Sequence, residues 1–277
     1  MKKNIAYLII LSALFSCGKA KRPVDPNEGY NGVAEPLISA VSVKKFDRLP
    51  LSGTARPKRH FWSGDYWALN KGLINYRWYT QQYGFNLHSP SEEEAKAMSQ
   101  EELKELSPSE KFDLLHGRYN YPLKEEVAGF ANPNAEYWEG ICHGWSPATL
   151  NYNEPTPKVL MNPQGIAVPF GSTDIKALIS YYYANEYKAP NTYQTGRRCP
   201  QSGGLFNWNP DCNNDLAPST FHIILTNNLG MRGRSFIADI KRFEQVWNHP
   251  IYEYHSEIVD RHRPGWLSTS VADQIVT

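Results

Sequence analysis

The pattern of apolar and polar positions changes character along this chain. A short apolar block, Ile5 to Phe15, opens it and is too short to cross a bilayer as a helix. A polar stretch rich in Gly and Pro follows. Residues 66–78 place apolar and aromatic side chains along one face and predict a helix. Then SEEE, SQEE and SPSE occur in quick succession, each a Ser followed three residues later by Glu. That spacing is the capping-box signature, so short helices are expected to start at Ser91, Ser99 and Ser107, the last ending at Gly117. Their acidic residues read as solvated helix faces. A further helix is expected near Cys142, beginning either at the cysteine or at Ser146-Pro147 as N-cap and first residue.

Strand patterns dominate later. KVLMN and IAVPF form a predicted hairpin around Asn162-Pro163-Gln164-Gly165. Thr173 to Ala184 predicts a helix, with Ile175, Leu178, Ile179 and Tyr182 on one side. Residues 221–226 read as a strand, NNLGMRGR as a turn, and Ser235 to Ile240 as the return strand. Either closing strands come from 251–259 and 266–276, or the β-lobe is a reduced one. Helices early and strands late give an α+β fold, divided as a leader to residue 17, a flexible tether over 18–58, a helical lobe over 59–130 and a region over 131–277 that carries the Cys142 helix and an antiparallel sheet.

Charge changes this picture by exclusion. The formal net charge is +1 and no basic stripe occurs, which argues against a nucleic-acid partner. The N-terminus supplies an address instead. Lys2 and Lys3 precede the apolar block, and Leu14-Phe15-Ser16-Cys17 resembles a bacterial lipobox, despite an unusual Phe. On this reading Cys17 is lipidated and anchors an exported lipoprotein in the membrane, in the periplasm or at the cell surface. The alternative is an ordinary secretory signal cleaved elsewhere.

Four cysteines occur. Cys17 goes to lipid. Cys199 and Cys212 flank a loop rich in Gly, Pro and Asn, where a disulfide would stiffen a segment with little core of its own. Cys142 is left over, either a small buried hydrophobe or a reactive thiol. Its position at a helix start favours the thiolate, because the positive end of the helix dipole lies there. A cysteine nucleophile needs a base. His143 is adjacent and points elsewhere, as a packing or substrate-edge residue. His222 is the better candidate, with Asp239 beside it across the predicted hairpin. A cysteine at a helix start, followed by His and Asp on neighbouring antiparallel strands, is the order found in papain and transglutaminases.

The segments WSGDYW (62–67), LSPSEKFDLL (106–115), YWEGICHGWSPA (137–148), DIKALISYYYA (174–184), DCNNDLAPSTFHI (211–223) and FEQVWNHPIYEY (243–254) together resemble the transglutaminase elicitor family of oomycete plant pathogens and bacteria. The likeness runs from about Phe61 to about Val259. The last segment is similar to the surface peptide that plants recognise in the oomycete proteins, through Val246, Trp247, Asn248 and Pro250. His249, Tyr252, Glu253 and His255 depart from that peptide. The resemblance implies a papain-like, transglutaminase-like cysteine fold and carries the nucleophile onto Cys142.

The expected chemistry is attack of Cys142 on a protein glutamine, loss of ammonia with help from His222 and Asp239, and transfer of the acyl group to a lysine or other primary amine. Backbone N–H groups at the helix start would hold the oxyanion, with the Trp138 indole as a further donor. Trp145 and the Tyr181-Tyr182-Tyr183 run would wall the cleft, although core packing is the plainer reading for at least two of those tyrosines. A cysteine peptidase or amidase on the same triad, and a non-enzymatic surface-binding lipoprotein, are the competing readings. No metal site or cofactor is expected. Asp211, Asn213 and Asp215 alternate like the first ligands of a calcium loop, but Leu216 stands where its glycine belongs and the closing Glu is missing, so an Asx-rich turn is favoured over bound calcium.

Overall fold

The computed structural model describes residues 42–56, 61–188, 216, 218–241, 245–263 and 275–276. Cys17, Cys199 and Cys212 lie outside the described residues, as do Asp211, Asn213 and Asp215.

The chain enters through β1 (Ser52–Thr54), which pairs antiparallel with a strand from the far end of the sequence. Residues 42–56 were expected to belong to the tether. Here the Val43 backbone exchanges two hydrogen bonds of 2.8 Å with the side chain of Asn227.

Residues 66–78 do not form the continuous helix their pattern predicts. They fold as two 3-10 turns, Leu69–Lys71 and Leu73–Asn75. Gly72 interrupts them at φ +96, with its backbone against Gly84, where a Cβ would meet the Gly84 Cα at 2.6 Å. The left-handed backbone that glycine permits ends one turn and starts the next.

The three capping boxes form as expected. Ser91, Ser99 and Ser107 cap α1 (Glu92–Ala97), α2 (Gln100–Glu105) and α3 (Pro108–Leu115), with Glu94, Glu102 and Glu110 bonding back to the serine N–H groups. Pro108 occupies the first position of α3, where its missing N–H costs nothing. Gly117 follows at φ +64. One acidic residue departs from the solvated reading. Glu110 is fully buried and accepts hydrogen bonds from Arg77, Ser89 and Ser107, with the Lys124 ammonium at 3.3 Å. Burial opposes its ionisation, but the Arg77 hydrogen bond and charge, helped by Ser107 and Lys124, outweigh it and hold the pKa at about 2.

Helix α4 (Pro122–Phe130) leads to α5 (Cys142–Asn151), and the hairpin of β2 (Lys158–Met161) and β3 (Ala167–Phe170) follows in the expected register. The Asn162 side chain closes that hairpin by accepting from Gln164 N and Ile166 N. Helix α6 (Ser172–Tyr181) continues as a π-helical turn over Tyr182–Glu186. Its Asp174 pairs with buried Lys111 at 2.7 Å.

The strand predicted over 221–226 is instead helix α7 (Pro218–Leu225) with a π-helical turn over Thr226–Met231. The polar residues that follow the apolar run close the helix. Thr226, Asn227 and Asn228 donate back to the carbonyls of His222, Ile223 and Ile224 at 2.6, 2.9 and 3.0 Å.

The return strand, β4 (Ile237–Asp239), therefore pairs with β5 (Asn248–Pro250) and not with 221–226. Strand β6 (Glu253–His255) is the partner of β1, and β7 (Arg261–His262) pairs with β8 (Ile275–Val276). In place of one antiparallel sheet, the described strands form four two-stranded antiparallel ladders among helices, an α+β arrangement. One core joins Trp67, Leu73, Ile74, Val127, Ile141, Ala177 and Tyr181 beneath α5, and a second joins α1–α3 to β3. Among the described residues no helix is long and apolar enough to cross a membrane.

Candidate functional site

Cys142 is the first residue of α5, and the approach to it is fixed by backbone pairing. Ile141 N donates to Tyr66 O at 2.7 Å, and Leu69 N donates to Glu139 O at 2.9 Å. Gly140 lies so close to this loop that a Cβ would stand 2.3 Å from Tyr66 O. Gly144 serves packing. A Cβ there would stand 2.1 Å from Ser180 O, so its absence lets α5 lie directly on α6. Of the two expected helix starts, the cysteine is the one used. Pro147 lies inside the helix, and Ser146 is not its N-cap.

Ser146 instead reaches across to β5, donating to Asn248 O at 2.7 Å. That bond holds the segment 245–250 along the cysteine. The thiol donates to Val246 O at 3.7 Å, and Asn248 Nδ2 faces Sγ at 3.6 Å. His249 packs edge-on against Trp145, and Tyr66 packs against Trp247. Cys142 is 6 % exposed and carries no disulfide. It lies on a cleft of about 370 Å³, whose lining includes the apolar Leu69, Leu73 and Phe130 together with Trp138, Glu139, His143, Val246 and Asn248.

The sequence-predicted residues divide across this geometry. Cys142, Trp138 and His143 share the cleft. Packing around His143 lowers its pKa, and a hydrogen bond to the Ala184 backbone opposes that shift. Trp145 is not a cleft wall. It packs on the core and on His249, with its indole nitrogen buried and unpartnered. Tyr181 is core, its hydroxyl donating to Glu126 at 2.7 Å, and Tyr182 and Tyr183 pack with each other and Tyr187.

Asp239 lies opposite Asn248 in the β4–β5 register, one strand from the residue that faces the thiol. Its carboxylate accepts from Trp247 N and Lys241 N. His222, on α7, stacks on Phe46, and its Nε2 is buried without a hydrogen-bond partner. Burial lowers its pKa. The structure thus brings Asp239 to the edge of the cysteine site but forms no hydrogen bond linking His222 to Cys142 or Asp239. The hairpin that was expected to join His222 and Asp239 is absent because 221–225 are helical.

Sequence reasoning missed Asn248 and Glu139 as site residues. Glu139 lines the cleft, and among the described residues its side chain enters no hydrogen bond or ion pair. The sole sequence signal for Asn248 is its place in the VWN segment. The described residues contain no group of three or more His, Cys, Asp or Glu able to hold a metal. A thiol at a helix N-terminus, beside a side-chain amide and an apolar cleft, suits acyl transfer through a thioester.

A family model described as transglutaminase elicitor matches residues 122–269, more than half of the chain. Among solved structures, the chain is similar to the GP42 transglutaminase from Phytophthora sojae, with a TM-score of 0.49 and 20% identity over 79% of this chain. It covers 59% of that structure's chain. No curated protein matches the chain.

Proposed function

Because the chain belongs to the transglutaminase elicitor family, we propose that it is a protein-glutamine γ-glutamyltransferase with Cys142 as nucleophile. The observation that carries this reading is the placement of the Cys142 sulfur at the start of α5, on a cleft with Asn248. A glutamine side chain enters along Leu69, Leu73 and Phe130. The thiolate forms the C–S bond, the C–N bond of the carboxamide breaks, and ammonia leaves with a proton. The thioester then passes its acyl group to a lysine amine, with return of the thiol.

The proton carrier in this proposal is His222, oriented by Asp239. Partial burial lowers the pKa of this imidazole and so favours the neutral form that a base needs, and its buried Nε2 has no hydrogen-bond partner. His143 shares the cleft, but it adjoins Cys142 in a helix, where neighbouring side chains diverge. Catalysis through His222 requires α7 to approach both the thiol and Asp239, since His222 makes no hydrogen bond with either in the structure.

Glu139 favours amine transfer over the peptidase reading. A carboxylate with no partner among the described residues, lining the same cleft, attracts an alkylammonium acceptor and gives nothing to a water acceptor. The substrates proposed are proteins bearing Gln and Lys. Attachment to the cell envelope through lipidated Cys17 is part of the proposal and rests on the leader sequence.

Product masses test the reading. Incubation with a glutamine protein and a lysine peptide should yield joined chains that have lost ammonia. Released peptides without joined chains would establish the peptidase reading instead.

A further inference from the structure

We infer that the side-chain amide of Asn248 is an oxyanion-hole donor, a role that rests on the acyl-transfer reading above. Among the described residues the sulfur of Cys142 has two hydrogen-bonding neighbours, and they differ in kind. Its hydrogen goes to Val246 O at 3.7 Å. The Asn248 group facing it at 3.6 Å is therefore the NH2 end of the amide, since the lone pairs of the sulfur remain for a donor. One N–H of that group points to sulfur. The second is available to a ligand.

The carbonyl oxygen of an attacked carboxamide lies two bonds from sulfur once the C–S bond forms. It thus falls within reach of a donor that already stands against the sulfur. During attack the thiolate pair makes the C–S bond and the carbonyl π pair moves onto oxygen. That oxygen then accepts from Asn248 Nδ2–H and from the backbone N–H of Cys142, which as the first residue of α5 has no intrahelical acceptor. When the carbonyl re-forms, the C–N bond breaks and ammonia takes the proton held by the base. No oxidant or reductant enters.

Preorganisation is what makes such a donor effective, and Asn248 is held on two sides. Ser146 Oγ donates to its carbonyl at 2.7 Å, and its backbone pairs with Asp239 across β4 and β5. Both Asn248 and Cys142 line the cleft, so the amide meets substrate as well as sulfur. The Trp138 indole was the side-chain donor expected from sequence, and Asn248 is the one that the structure sets against the nucleophile.

The test uses the full chain carrying Asn248→Ala or Asn248→Asp. A small glutamine peptide with hydroxylamine reports acyl transfer, a p-nitrophenyl ester reports acylation through the same kind of tetrahedral species, and iodoacetamide reports the thiol alone. Both variants should lose about 100–1000-fold in turnover and in ester acylation, with KM little changed. Alkylation should stay within about threefold of wild type, because displacement at a saturated carbon develops no oxyanion. Acylation that stays within about threefold of wild type overturns the inference, as does alkylation that falls in step with it. A wild-type chain that acylates from the ester but transfers nothing to amines sinks the transglutaminase reading alone, and the ester rates of the two variants still decide Asn248.

Discussion

Asn248 and Cys142 stand 106 residues apart in the chain, and their amide nitrogen and sulfur stand 3.6 Å apart. Ser146 maintains that relationship through its bond to Asn248 O, one turn along α5 from the cysteine. Ser146→Ala should cost about 1 kcal/mol in chemical denaturation. Turnover should fall more than that figure implies, roughly tenfold, because the amide beside the sulfur loses its anchor. Lost stability with unchanged turnover would show that β5 holds its register without Ser146.

Gly144 tests the packing beneath the site. Ala at this position would set its Cβ 2.1 Å from Ser180 O, a backbone atom that cannot yield without moving α6. Gly144→Ala should destabilise the protein by about 3 kcal/mol in urea unfolding and slow Cys142 turnover with it. Wild-type stability in the variant would mean that α5 and α6 are not packed this closely.

The two histidines separate by activity and by pH. His222→Ala should reduce acyl transfer by about 100–10,000-fold, whereas His143→Ala should keep most of it. Burial lowers the His222 pKa from its ordinary 6.5, so the base form persists further into acid and the acid limb of kcat/KM should lie below pH 6.5. Loss of activity in His143→Ala, with His222→Ala active, would move the proton carrier to the cleft histidine.

Charge at Glu139 should set acceptor preference. Glu139→Gln should raise KM for cationic acceptors such as cadaverine by roughly tenfold, leaving deamidation of the glutamine substrate unchanged. Equal effects on both would make Glu139 a general component of the site and remove the argument for amine selection.

Glu110 governs acid stability. Its folded pKa of about 2 lies below the ordinary 4.5, so its contribution is fully present above pH 4.5 and is lost as pH falls from there through about 2. The loss should be on the order of 3 kcal/mol. Denaturation curves for wild type and Glu110→Gln between pH 5 and pH 2 isolate it. Parallel pH dependence in the two proteins would mean that the Arg77 and Lys124 pairing does not depress this carboxyl.

The parts legible in the sequence were local ones. Ser91, Ser99 and Ser107 announce their helices because the capping glutamates lie three residues away, and Asn162 marks its hairpin because its partners lie within four residues. The helix at Cys142 was legible with two candidate starts, Ser146-Pro147 and Cys142, of which the structure uses the cysteine. The run Phe221-His222-Ile223-Ile224-Leu225 was not, since a continuous apolar stretch fits a buried strand or a buried helix equally well. The back-bonding of Thr226, Asn227 and Asn228 settles it as helix, and with it the route from His222 to Asp239 changes. Glu110 looked like a solvated capping residue because Arg77, its principal partner, lies 33 residues away. The pairing of Asn248 with Cys142 is longer in range still. Local pattern carries no signal for it.

The most direct measurement is incorporation of a fluorescent primary amine into a glutamine-rich protein by the wild-type chain and by Cys142→Ala. Wild type should label the protein, and the labelling should disappear in the variant. Labelling that survives in Cys142→Ala, or a wild-type chain whose Cys142 resists iodoacetamide at neutral pH and labels nothing, would contradict the assignment of this thiol as nucleophile.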